Sequence, residues 1–168
     1  MEANTIELNR LALPSGGGRC VEADVELPTL EVGRESYRVV DGPTRVRLDV
    51  SRTSSGWAFR LRFEVTVSGP CTRCLADSRQ EISVDLREVQ EAQTDEEELS
   101  SPYVEEDVLD LAGWARDGLV LSMPTRYLCH PGCEGLCPVC GEPLRSGAHE
   151  HGADPDPRWE KLGELRLD

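Results

Sequence analysis

From Trp57 to Ser68 the chain alternates strictly. Trp57, Phe59, Leu61, Phe63, Val65 and Val67 fall on one side, and Ala58, Arg60, Arg62, Glu64, Thr66 and Ser68 on the other. A period of two places successive side chains on opposite faces of an extended backbone, so this stretch predicts a half-buried β-strand. Shorter alternations surround it. Ile6 and Leu8 form one; Val21, Ala23, Val25 and Leu27 alternate with Glu22, Asp24 and Glu26; Val46, Leu48 and Val50 alternate with Arg45, Arg47 and Asp49; Ile82, Val84 and Leu86 form another. Turn chemistry separates these runs at Pro14 to Gly18, at Thr53-Ser54-Ser55-Gly56 and at Gly69-Pro70. Strands joined by short turns pair antiparallel, and Cys71-Thr72-Arg73-Cys74 then forms the tip of one hairpin.

After Leu86 the pattern changes. Residues 88 to 107 carry nine acids and no base, including Asp95-Glu96-Glu97-Glu98. So polar a stretch buries too little apolar surface to offset its ordering entropy, which predicts a mobile loop over 88–106. Helical spacing returns with Val108, Leu111, Ala115 and Leu119, broadened by Leu109 and Trp114. Asp107 is placed to cap this helix and Met123-Pro124 to end it, while Gly113 and Gly118 weaken it. Near the end, Asp156 and Pro157 make a helix start, and Trp159, Leu162 and Leu165 give a short closing helix an apolar side.

The organisation expected is therefore an antiparallel β body over 1–87, the acidic loop over 88–106, a helix packing on the sheet within 107–128, and a Cys/His segment over 129–168. In class this is α+β: an antiparallel sheet or partly open barrel, one or two helices, and a zinc-ribbon-like C-terminal segment. At 168 residues with only 5% aromatics the apolar core is modest, and a bound metal would supplement it.

The net charge of −14 argues at first against nucleic-acid partners. Its distribution changes that picture, because residues 1 to 87 hold 12 Arg against 13 Asp and Glu, and the excess is concentrated in the acidic stretch. Arg45, Arg47, Arg60 and Arg62 occupy the polar sides of two strands and form a candidate face for RNA or a partner protein. No run of 18 apolar residues and no basic-then-apolar leader is present, so a cytoplasmic location is expected. In that compartment seven cysteines read as thiols or metal ligands rather than disulfides.

Leaving Cys20 as a structural thiol and His130 as a loop residue, the ligand candidates form four close pairs: Cys71/Cys74, Cys129/Cys133, Cys137/Cys140 and His149/His151. Eight such donors match two tetrahedral structural zinc sites. Two groupings are open. Cys129, Cys133, Cys137 and Cys140 can share one ion, leaving Cys71, Cys74, His149 and His151 for the other. Alternatively Cys71, Cys74, Cys129 and Cys133 join hairpin tip to post-helix segment, while Cys137, Cys140, His149 and His151 form a compact second site. The second grouping is favoured because it avoids crowding adjacent chelate loops on one ion. Neither grouping leaves the open coordination position of a catalytic zinc, and a β-hairpin is not the setting of a thiol-disulfide enzyme.

Cys71-Thr72-Arg73-Cys74-Leu75, the segment Cys129 to Gly141 with its Gly135-Leu136-Cys137-Pro138-Val139-Cys140-Gly141 core, and Asp156-Pro157-Arg158-Trp159 resemble the YceD family, named for accumulation of large-subunit ribosomal RNA. The resemblance spans roughly residues 71 to 159. It implies a non-enzymatic cytoplasmic factor in ribosome biogenesis, partnered with large-subunit ribosomal RNA or ribosomal proteins. This chain departs from the family pattern in having His149-x-His151 where a Cys-x-Cys pair is common, a change that preserves zinc chemistry. A zinc-ribbon adaptor for another nucleic-acid machine is the alternative role, and a thiol or zinc enzyme a more distant one.

Overall fold

The computed structural model describes residues 5–91, 99–144 and 151. At its centre are two long antiparallel strands, β6 (Gly56–Pro70) and β7 (Asp77–Glu91), paired over their whole length from Gly56↔Glu91 to Pro70↔Asp77. The other edge of β6 is divided. β5 (Thr44–Arg52) pairs with residues 57–62, and β4 (Glu35–Val39) with residues 67–68. β2 (Gly18–Val25) lies outside β5, and β3 (Leu30–Val32) outside β4. The strand path β2-β5-β6-β4-β3, with β7 on the far edge of β6, has open ends, so among the described residues the antiparallel sheet does not close on itself.

A second, small sheet forms from β1 (Thr5–Glu7), β8 (Val104–Glu105) and β9 (Val108–Asp110), in the order β1-β9-β8. Here the structure corrects the helix start. Glu106 and Asp107 form the two-residue turn between β8 and β9 with φ of 48° and 63°, the left-handed values that a tight hairpin turn requires. Helix α1 therefore runs from Leu111 to Ser122. Asp110, not Asp107, caps it by accepting the Gly113 N–H at 2.9 Å.

The acidic loop is also shorter than its composition suggests. Glu88 to Glu91 extend β7, because Phe59 to Gly56 of β6 present a ladder for them to complete. Ser101 N–H donates to Gln90 Oε1 at 2.8 Å, and Tyr103 stacks on Trp114 with ring centroids 6.1 Å apart. Residues 92–98, and with them the whole Asp95–Glu98 run, lie outside the described residues, as does the closing helix expected around Trp159.

One face of the large sheet is the core. Val46, Leu48, Val50, Phe59, Leu61, Phe63, Val67, Ile82 and Val84 are buried on it, and Trp114, Ala115 and Leu119 of α1 join them. Trp114 meets Phe59 edge-on at 6.4 Å. Gly118 is what brings helix and sheet together: a Cβ there would sit 2.4 Å from Leu86 Cδ1 and 3.3 Å from Val84 Cγ1. The helix-weakening glycine of the sequence is a packing requirement. Among the described residues no helix is long and apolar enough to cross a membrane.

Candidate metal centres

The β6–β7 turn folds back on itself before any metal is considered. Cys71 N–H donates to Ala76 O and Leu75 N–H to Cys71 O, each at 2.9 Å, with Leu75 in the left-handed region. This tight loop aims Cys71 and Cys74 the same way. The segment after α1 is then anchored against the tip by four bonds. Thr72 N–H donates to Tyr127 O at 2.8 Å; Gln80 Nε2 and Ser78 Oγ donate to Leu128 O at 2.7 and 3.2 Å; Arg73 Nη1 donates to Cys133 O at 2.7 Å. Tyr127, 1% exposed, packs edge-on against Tyr37 and donates its hydroxyl to Val67 O. Gly135, at φ +91°, lets the chain pass the Arg73 carbonyl, which a Cβ would approach to 3.2 Å.

These anchors bring Cys71, Cys74, Cys129 and Cys133 together with every Sγ within 4.8 Å of the others. Cys71 and Cys133 stand 3.7 Å apart, and Cys74 and Cys129 3.6 Å. A regular tetrahedron of thiolates with Zn–S near 2.3 Å has edges of about 3.8 Å, so the spacing suits that ion. Ionisation points the same way. Burial pushes the Cys71 thiol up, but N–H groups of Arg73, Cys74 and Cys129 outweigh it and bring it down to about 6. Burial, and then the neighbouring thiols, push Cys129 up to about 12 and raise Cys133 as well. One thiolate is welcome in this cluster and the next are not, until a cation neutralises them.

A second group forms downstream. Leu136 bridges to Pro143, Cys137 N–H donates to Glu142 O at 2.8 Å, and Gly141 N–H to Cys137 O at 2.9 Å, closing a small hairpin around Cys137 and Cys140. Val139 N–H points at Cys137 Sγ, 3.4 Å away. Cys137, Cys140 and His151 place their donor atoms within 4.8 Å of one another. His149 lies outside the described residues. Both clusters are able to hold a metal ion, and the structure brings the cysteines together in the grouping that joins hairpin tip to post-helix segment. Cys20 and His130 belong to neither; Cys20 is exposed on β2, where burial and a hydrogen bond to Asp49 raise its thiol.

Comparison with known proteins adds a family to this geometry. Residues 59–166 match the model described as large ribosomal RNA subunit accumulation protein YceD, a span that contains both clusters. The chain belongs to the YceD family. Uncharacterized proteins of Mycobacterium tuberculosis (strain H37Rv) and Mycobacterium bovis are each 32% identical to it, over 78% of this chain and 73% of theirs. No solved structure matches.

In this YceD-family chain the four strand arginines do share the solvent face of the sheet, but each is held by a carboxylate. Arg45 reaches Glu22 at 2.9 Å and Asp24 at 3.4 Å, and Arg47 reaches Asp49 at 3.5 Å. Arg60 grips Asp85 with two bonds of 2.6 and 2.8 Å, and Arg62 bonds Asp49. The Arg60 bond holds the Asp85 carboxyl below its ordinary range. The face is a checkerboard of ion pairs rather than a positive patch. The sequence hinted at this in the acids of β2 and β7, whose register with the arginines follows only from strand order. Tyr127, Ser78 and Gln80, which dock the metal segment, were not singled out by the sequence; a tyrosine two residues before Cys129 was the available signal.

Proposed function

We propose that this YceD-family chain is a non-enzymatic, zinc-binding factor through which large-subunit ribosomal RNA accumulates or matures in the cytoplasm. The observation that carries the reading is the family match, which spans both candidate metal centres. Cys71, Cys74, Cys129 and Cys133 hold one structural zinc. Cys137, Cys140 and His151 hold a second, with His149 as the fourth ligand. With four protein donors on each ion no coordination position is left for water or substrate, so the metals act as architecture. The first ion joins the sheet to the post-helix segment, and the second shapes the C-terminal segment. Partners are large-subunit ribosomal RNA or the basic ribosomal proteins that accompany it.

The test is depletion of the protein in its own host, followed by the ratio of large-subunit to small-subunit ribosomal RNA. A fall in that ratio, restored by the wild-type chain and not by Cys71→Ser/Cys74→Ser, is expected. An unchanged ratio after complete depletion overturns the reading.

A further inference from the structure

Not every arginine on the solvent face of the sheet is neutralised. Register places Arg38 of β4 opposite Ser68 of β6, and Ser68 opposite Arg79 of β7. Directly opposed residues share a face, and neighbouring strands lie about 4.8 Å apart, so the two arginine backbones flank Ser68 roughly 10 Å from one another. Both side chains are exposed. Neither forms an ion pair among the described residues, in contrast to Arg45, Arg47, Arg60 and Arg62.

A cavity of about 260 Å³ opens beside this row, lined by the hydroxyl-bearing Thr29, Ser36 and Ser68, by Arg38, and by one acid, Asp77. Glu81, opposite Thr66, is the acid nearest along β7 on the other side. The row sits at the metal end of the sheet: Ser68 precedes Cys71 by three residues and Arg79 follows Cys74 by five.

We propose that Arg38, Ser68 and Arg79 form a phosphate-contacting row that takes the backbone of an RNA strand. The inference rests on the reading above that the chain serves ribosomal RNA, and it adds direct contact and a place for it. A guanidinium presents a planar fork of N–H donors that matches phosphate oxygens two at a time, and a serine hydroxyl between two such forks supplies a third donor. Binding phosphate through Arg60 would first break its two bonds to Asp85 and leave that carboxylate facing the phosphate. Arg38 and Arg79 carry no such obstacle. They offer charge that releases counterions on contact, which is the main source of sequence-independent affinity for nucleic acid.

The experiment uses the full-length, zinc-loaded protein and two RNA probes: a single-stranded oligouridylate and a transcript of large-subunit ribosomal RNA. Affinity is followed by fluorescence anisotropy across a salt series. Arg38→Gln/Arg79→Gln is expected to weaken both probes alike and to reduce the slope of log affinity against log salt by about 1.4, from two phosphates at about 0.7 each on a single strand. Arg60→Gln/Asp85→Asn, which removes a neutralised pair, is expected to change neither quantity. An unchanged slope in the Arg38/Arg79 variant overturns the proposal. So does equal, row-dependent affinity for a polyglutamate peptide, which would make acidic protein the partner. If the wild type binds neither RNA while depletion still lowers large-subunit RNA, the row is wrong and the cellular role stands. If it binds through the row while depletion leaves the ratio unchanged, the role is wrong and the row stands.

Discussion

Stripping the metal should melt the segment from Cys129 to Leu144 and leave the sheet intact. Fixing the twelve backbones from Cys129 to Cys140 costs at least about 12 kcal/mol at roughly 1 kcal/mol each. Almost no apolar burial offsets this, since apart from the cysteines only Leu136 is even half-buried there among large apolar side chains. Five N–H···O hydrogen bonds are among those that hold the segment: Cys133 N–H to His130 O, Cys137 N–H to Glu142 O, Gly141 N–H to Cys137 O, Leu144 N–H to Gly135 O and Arg73 Nη1 to Cys133 O. At about 1 kcal/mol net each they return about 5, leaving a shortfall of about 7 kcal/mol or more. A structural zinc contributes about 10–16 kcal/mol, which covers it. Just upstream, Tyr127 is buried and tied to β6, and its docking does not pass through a thiol. Hydrogen exchange read by mass spectrometry before and after chelation under reducing conditions is the assay. Peptides covering residues 129–144 should lose protection, while those from β6, β7 and Thr72 keep it. Retained protection in 129–144 without metal would refute the reasoning, as would loss of the β6–β7 ladder along with it.

Cys137→Ser/Cys140→Ser should reduce the zinc count in native mass spectrometry from two to one, with the remaining ion resistant to mild chelation; loss of both would mean that the two centres are not independent. Trp114→Ala, which empties a site closed by Phe59 and Tyr103, should cost about 3–5 kcal/mol in denaturant unfolding. Glu88→Gln should raise the melting temperature at neutral pH. Burial raises the Glu88 carboxyl against a hydrogen bond from Ser101 that lowers it. A carboxyl whose folded value is raised contributes stability that is full below its unfolded value and is lost as pH rises through the folded one, so the benefit of the neutral amide should vanish below about pH 4. A benefit that persists at low pH would place its cause elsewhere.

Much of this fold was legible because the long strands announce themselves by period alone. The faces of β5 and β6 follow the alternation from Val46 to Val50 and from Trp57 to Val67 residue for residue. β3 and β4 were not legible: three and five residues long, with Gly33 at positive φ between them, they carry too few alternations to rise above loop. The region from Glu88 to Asp110 was misjudged because composition averages over what pairing decides. Glu88 to Glu91 are strand since β6 is there to receive them, and Asp107 is a turn because Leu109 pairs with Ile6. At the metal centres the donors could be named from their spacing, but which pairs meet depends on where Tyr127 and Leu128 dock. The arginines teach the same lesson: side-chain charge is visible in the sequence, and its neutralisation across strands is not.

The uninterrupted pairing of β6 with β7 gives the sheet one long axis with unlike ends. Fifteen residues at about 3.3 Å each span roughly 50 Å, less what twist removes. The thiol clusters and the unpaired arginine row gather at one tip. At the other, β7 ends at Glu91, from which the chain runs on into its most acidic stretch. The separation between the thiol end and the end where Gly56 meets Glu91 is therefore set by the strand pair itself.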